Sequence, residues 1–187
     1  MLMNRQKGFI VLVVTLLFAA ASLRAYPKGA PPGVTGGFGE GTCNECHDSY
    51  ALNAGRAAGL GDLVITGFPK EYKPGETYAI KVEVTQQQDS GAWGFQLATR
   101  AKDTHAQAGA LEPIDSHTQI LSLQNIDYIT HTADGTFSNI FEFTWMAPAT
   151  AAGEIAVNAA ANAANGDASP VGDYIYSISL SVASPSH

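Results

Sequence analysis

Two cysteines and a histidine share one short segment, Cys43-Asn44-Glu45-Cys46-His47, and this spacing is typical of covalent c-type haem attachment. Two thiols separated by two residues can reach the two vinyl groups of one porphyrin. The adjacent imidazole is then held under the iron. The segment therefore predicts one covalent haem c, attached through Cys43 and Cys46, with His47 as an axial iron ligand.

Three other roles are conceivable for the two cysteines. They are the only cysteines in the chain, so an exported protein could join Cys43 to Cys46 in a disulfide. A thioredoxin-like redox motif needs a βαβ context, which the sequence does not indicate. A zinc site needs further cysteine or histidine ligands at regular spacing. The adjacent His47, together with an export signal at the amino terminus, favours haem over these alternatives.

The second axial ligand has several candidates, because haem iron takes His, Met, Cys or Tyr from a protein. We expect His131, which is predicted at the end of a strand, where a rigidly placed side chain can face a haem at the edge of a sheet. Met146, at another predicted strand end, is the alternative and would raise the redox potential. An open position would permit ligand binding or peroxide chemistry. The remaining histidines after the motif are His105, His117 and His187.

The elements that must position these residues are predicted to be β-strands. Apolar residues alternate with polar ones over residues 77–85 and 92–100. In residues 77–85, one face carries Tyr78, Ile80, Val82 and Val84. Short strands at close spacing, with turn signals between them, indicate an all-β antiparallel sandwich. A short helical turn is expected between residues 51 and 58. The predicted strands cover residues 63–68, 77–85, 92–100, 118–123, 127–132, 139–145, 153–161 and 172–182.

Residues 1–25 have the pattern of a signal peptide. Arg5 and Lys7 precede an apolar run over residues 8–21, and Ala25 ends a fair cleavage site. An uncleaved membrane anchor is the alternative, although the run is short for a bilayer span. We therefore expect a periplasmic or secreted product without a stable membrane anchor. Residues 26–61, rich in glycine and proline up to residue 42, form an irregular haem-attachment segment, and residues 62–187 form the sandwich domain.

Composition and charge narrow the class of protein. Hydrophobic residues make up 45% of the 187 residues and charged residues 14%, which is enough apolar surface for a core. Loss of residues 1–25 leaves 7 basic and 17 acidic residues, a net charge of −10. Such an acidic chain is a poor candidate for binding nucleic acid. No catalytic constellation accompanies the haem motif, so we expect an electron carrier with a redox partner protein rather than an enzyme.

Several segments resemble the Reeler domain pattern. They cover residues 72–78, 93–100, 143–148, 162–167 and 172–176. Exported bacterial proteins of the "choice-of-anchor" type, which carry a haem motif just upstream, are similar as well. The resemblance implies an immunoglobulin-like β-sandwich and no enzyme activity, since such domains are usually binding or adhesive modules. It therefore leaves a second function open, an adhesive or ligand-binding module in which the haem is structural or Cys43 and Cys46 form a disulfide. Met146 departs from the pattern, where a small polar residue is expected.

Overall fold

Nine strands form two antiparallel sheets in the computed structural model, which describes residues 26–87 and 90–185. The four-stranded sheet has the order β1-β2-β7-β4, and the five-stranded sheet has the order β5-β6-β3-β8-β9. The fold is therefore the predicted all-β sandwich. The strands are β1 Gly61–Thr66, β2 Thr77–Gln86, β3 Ala92–Ala101, β4 Ala110–Pro113, β5 Thr118–Leu123, β6 Ile126–His131, β7 Ile140–Met146, β8 Ile155–Ala164 and β9 Tyr174–Val182.

The core lies between the two sheets and is built from the alternating apolar positions. In β2 the predicted inward residues Ile80, Val82 and Val84 are buried, because every second side chain of a strand faces the same side. Aromatic rings close the centre of the core, where Phe95 of β3 stacks on Phe141 of β7 with ring centroids 4.3 Å apart. The two sheets therefore share a single hydrophobic core.

All eight predicted strands exist, and each begins within two residues of its predicted start. The predicted helical turn is α1, Ala54–Ala57, and Gly59 follows it with φ +71°, a conformation that favours glycine at a helix end. Strand β4 was not predicted. It is a four-residue strand at a sheet edge, where Leu111 pairs with Trp145. Because it follows Gly109 and ends on Pro113, too few residues remain to show an alternating pattern.

The irregular segment before the sandwich lies on the five-stranded sheet. The side chain of Gln96, fully buried on β3, accepts hydrogen bonds from the backbone N–H groups of Gly33 and Val34, both at 2.9 Å. It also donates to the carbonyl of Pro31 at 2.9 Å. This segment, residues 26–42, is called the arm below. It lacks regular structure, as predicted from its glycines and prolines, but it is bound to the sheet by specific contacts.

A buried polar cluster gives the arm a second attachment. Glu40 of the arm pairs with Arg100 of β3 and accepts a hydrogen bond from Tyr128 of β6 at 2.6 Å. Arg100 and Tyr128 are 9% and 2% exposed, so the arm covers them from solvent. The outward face of β3 is consequently as buried as its inward face.

Candidate functional site

A cavity of about 430 Å³ opens at one end of the five-stranded sheet, where β3 begins and where β6 and β8 end. Its walls come from the arm, from these three strands and from the loop between β8 and β9. The cavity brings Cys43, Cys46 and His47 together with His131. The predicted haem-attachment residues and the predicted second ligand thus share one cavity, although 84 residues of sequence separate His47 from His131.

A 3₁₀ turn, Cys43–Glu45, presents the motif to this cavity. The side-chain oxygen of Thr42 caps the turn by accepting a hydrogen bond from Asn44 N at 3.2 Å. The carbonyl of Cys43 accepts hydrogen bonds from Cys46 N at 3.3 Å and from His47 N at 3.0 Å. These bonds turn the chain back on itself, so both sulfurs and the imidazole project from one tight turn.

Both cysteines are free thiols, and their environments differ. Burial raises the pKa of the Cys43 thiol to about 12, although the residue as a whole is only half-buried. Cys46 is exposed. A thiol held in its protonated form is a poor nucleophile, so the environment of Cys43 does not suit thioredoxin-like exchange chemistry.

The imidazole of His47 is bound to a carboxylate. Its Nδ1 lies 2.6 Å from Oδ2 of Asp173, whose side chain has no solvent exposure. The side chain of His47 is 15% exposed. A carboxylate oxygen accepts hydrogen bonds, so Nδ1 donates and Nε2 carries the lone pair. Nε2 is therefore the atom of His47 that can bind a metal.

The His131 ring is 7% exposed at the end of β6. Its Nδ1 accepts a hydrogen bond from Phe95 N at 3.2 Å, and its Nε2 lies 3.1 Å from the carbonyl oxygen of Tyr26. Burial lowers the pKa of His131, which favours the neutral ring. Gly94 faces this ring and leaves the space that it fills.

The other candidate ligands do not line the cavity. Met146 ends β7 in the opposite sheet and is 43% exposed. His105 is exposed and its ring packs at a tilt against Phe38, and His117 lies beside Asp115. His187 and the predicted signal peptide, residues 1–25, lie outside the described residues.

Two residues at this site were not predicted from sequence. Asp173 falls within the strand predicted over residues 172–182, where no functional role was assigned to it, and it is 1% exposed and bound to His47. Asn162, on β8, donates to Oδ2 of the same carboxylate at 3.3 Å. The only sequence signal was the position of Asp173 near the start of the predicted strand over residues 172–182, which does not reveal its partner.

Bare metal sites and membrane-spanning helices are both absent from the described residues. Over residues 26–87 and 90–185, no three His, Cys, Asp or Glu side chains lie close enough to hold a bare metal ion. A haem iron differs from such a site, because the porphyrin supplies four of its ligands and the protein supplies at most two. In the same part of the chain, no helix is long and apolar enough to cross a membrane.

Comparison with solved structures finds proteins of similar architecture. The human F-spondin reeler domain is 21% identical, with a TM-score of 0.49, over 67% of this chain and 88% of that chain. A second structure, the Reelin-N domain of F-spondin, is 22% identical, with a TM-score of 0.47, over 68% and 87%. A conjugative transposon lipoprotein from Bacteroides eggerthii is 12% identical, with a TM-score of 0.41, over 66% and 96%.

Comparison with curated sequences finds no match. Comparison with protein families finds one, the Reeler domain, over residues 46–164. The match covers more than half of the chain and begins within the Cys-x-x-Cys-His segment. It spans β1 to β8 of the sandwich. The chain therefore belongs to the Reeler domain family.

Proposed function

We propose that this protein is an exported c-type haem protein that transfers electrons. One observation carries the proposal: a single cavity is lined by Cys43, Cys46, His47 and His131. Three of these residues complete the covalent attachment motif. The fourth was selected from sequence as the second ligand and comes from a distant strand. A motif that occurred by chance would have no reason to meet a buried histidine.

The cavity is compatible with a haem in size and chemistry. Its volume of about 430 Å³ lies within the usual range for cofactor sites, roughly 300–1,000 Å³. Its walls are mainly apolar, which suits a porphyrin because apolar side chains exclude water from the ring. Apolar lining comes from Val34 of the arm, from Trp93 on β3 and from Ala164 on β8. The polar lining includes Asp173 and Asn162, which both contact the imidazole of His47.

Each histidine has a defined role in this proposal. His47 would hold iron through Nε2, because its Nδ1 donates to Asp173. His131 would also hold it through Nε2, which requires the Tyr26 carbonyl to give up its 3.1 Å contact and the Phe95 N–H to give up its 3.2 Å hydrogen bond to Nδ1. The proton of His131 then resides on Nδ1, which lies 3.3 Å from the carbonyl oxygen of Phe95. Tyr26 is 53% exposed, so little packing opposes its displacement.

Two axial histidines favour electron transfer over catalysis. When bound, the haem supplies an iron centre that exchanges one electron. If His47 and His131 both held the iron, no coordination position would remain for a substrate. The protein then needs a redox partner protein, and it acts in the periplasm or after secretion, following removal of residues 1–25.

The test is the mass of the full chain, expressed with export and a functional haem-attachment system. We expect a mature protein that begins at Tyr26 and carries the mass of one haem, with the sharp visible bands of a reduced c-type centre. The matched control is the double variant Cys43→Ala/Cys46→Ala, which should be exported without haem. A wild-type protein without added haem, produced beside a correctly matured reference cytochrome, would overturn the proposal.

The same mass measurement distinguishes the haem protein from the alternative, an adhesive or ligand-binding module without haem. A Cys43–Cys46 disulfide would lower the mass by two hydrogens and leave no visible bands. The sandwich would then act as an adhesive or ligand-binding domain. A haem that is present but cannot be reduced or reoxidised would indicate a structural role instead.

A further inference from the structure

We propose that Asp173 is a positioning residue that orients His47 and increases the electron donation of its Nε2 atom toward iron. This inference rests on the proposed haem function and names a determinant of its redox potential. Asp173 lies on the far side of the imidazole from the atom that would bind iron. It therefore acts on the iron through His47.

The Asp173 carboxylate is held in place by three donors. Its Oδ2 lies 2.6 Å from Nδ1 of His47 and receives the amide of Asn162 at 3.3 Å. Its Oδ1 accepts the backbone N–H of Asn165 at 3.0 Å. Because its side chain has no solvent exposure, water does not compete for these bonds. The carboxylate is thus an organised part of the site.

The position of Asp173 in the fold makes it rigid. It directly precedes β9, and at that end of the sheet Ala163 of β8 pairs with Tyr174 of β9. Asn162 neighbours this pair on β8. The carboxylate is therefore fixed by the end of a strand ladder, while His47 belongs to the segment before the sandwich. Their hydrogen bond fixes the angle of the imidazole relative to the sheet that carries His131.

The contact has an electronic consequence as well as a geometric one. A hydrogen bond from Nδ1 to a carboxylate raises the basicity of the opposite ring nitrogen, as second-shell carboxylates do for metal-bound histidines. A more basic Nε2 stabilises ferric iron more than ferrous iron, because the ferric state has the higher charge. The buried setting strengthens the effect, since a charge-assisted bond is stronger where water is excluded. We therefore infer that Asp173 lowers the midpoint potential.

The test is the midpoint potential of purified, haem-loaded full-length protein, measured by optical titration with redox mediators. Asp173→Asn keeps the size of the side chain and removes its charge, so its potential should rise. The control is Asp167→Asn, which makes the same change in net charge at an exposed position of the same loop. Its potential should stay close to that of the wild type. Asp173→Glu restores the charge and should recover part of the difference.

Equal potentials for Asp173→Asn and Asp167→Asn would overturn the inference. A second measurement covers the case in which Asp173→Asn does not mature. In ¹⁵N-labelled reduced wild-type protein, we expect a His47 Nδ1–H resonance that exchanges slowly with solvent, because its acceptor is buried. Rapid exchange of that proton would contradict the proposed contact. The two proposals fail separately, since a wild-type protein without haem is recognised from its mass before any potential is measured.

Discussion

Gly94 of β3 lies so close to His131 of β6 that a Cβ atom at Gly94 would be 2.8 Å from Cε1 of the imidazole. The same Cβ would be 3.1 Å from Nδ1 and 3.3 Å from Nε2. A glycine at this point of the strand therefore creates the space for the ring. The relationship connects strand packing directly to the candidate ligand, and it can be tested by a double-mutant cycle.

Gly94→Ala should destabilise the protein by about 1–3 kcal/mol, because the added methyl group overpacks a buried site. In a His131→Ala background the same substitution should have little effect, since the ring that it meets has been removed. Urea unfolding of the four proteins measures the coupling, which we expect to be about 1–2 kcal/mol. Additive effects of the two substitutions would contradict the contact.

His131→Ala should open one axial position on the iron. The reduced variant should then bind carbon monoxide and change its visible spectrum, whereas the wild type should not, because under the proposed function His47 and His131 would occupy both axial positions. His117→Ala provides the matched control, since His117 does not line the cavity. Met146→Leu should also behave as the wild type. A wild type that binds carbon monoxide as readily as His131→Ala would reject His131 as the ligand.

Gln96→Leu should release the arm from the sheet. The substitution preserves volume but removes the bonds to Gly33, Val34 and Pro31, leaving the backbone N–H groups of half-buried Gly33 and Val34 without this partner. We expect a loss of about 2–4 kcal/mol in unfolding free energy and faster proteolysis between residues 26 and 42. Gln124→Leu, at an exposed turn, is the control and should change neither quantity.

Tyr128 should make the stability pH-dependent in alkaline solution. Burial, and then the hydrogen bond to Glu40, raise the pKa of Tyr128 from 10.0 to about 12. Below pH 10 the phenol is protonated in both the folded and the unfolded state. Between about pH 10 and 12 the unfolded state releases this proton and the folded state retains it, so stability falls as pH rises.

Tyr128→Phe should reduce that alkaline loss of stability, because phenylalanine has no proton to release. The check is the unfolding free energy of both proteins at several pH values from about 8 to 11.5. Tyr174 and Tyr176, whose pKa values are also raised, are present in both proteins, so the difference isolates Tyr128. Identical slopes above pH 10 would contradict the prediction.

Cys43 should react slowly with alkylating agents in protein made without haem attachment. Burial raises the pKa of its thiol from 9.0 to about 12, which lowers its thiolate fraction roughly a thousandfold. The single variants Cys46→Ser and Cys43→Ser isolate each thiol. Timed iodoacetamide labelling followed by mass spectrometry should show exposed Cys46 reacting at least about tenfold faster. Urea should abolish the difference, and equal rates in the folded protein would contradict the burial of Cys43.

Local chemistry made much of the fold predictable. Alternation of apolar and polar residues identified β2 and β3 because each strand buries one face in the core. The short strand β4 was not predicted, since a four-residue strand that follows Gly109 and ends on Pro113 gives too little pattern. The burial of the outward face of β3 could not be predicted either, because the arm that covers this face is 60 or more residues distant in sequence.

For the candidate site, too, the sequence determined the local features and the tertiary structure determined the distant contacts. The sequence by itself determined the Cys-x-x-Cys-His segment for which haem attachment is proposed, because the spacing of Cys43, Cys46 and His47 is a local property of five residues. It also placed His131 at a strand end. Only the tertiary structure decided that His131, and not Met146, shares a cavity with the motif, because the two strands end in opposite sheets. It alone brought Asp173 to His47 across 126 residues, since that contact depends on how β8 and β9 pair.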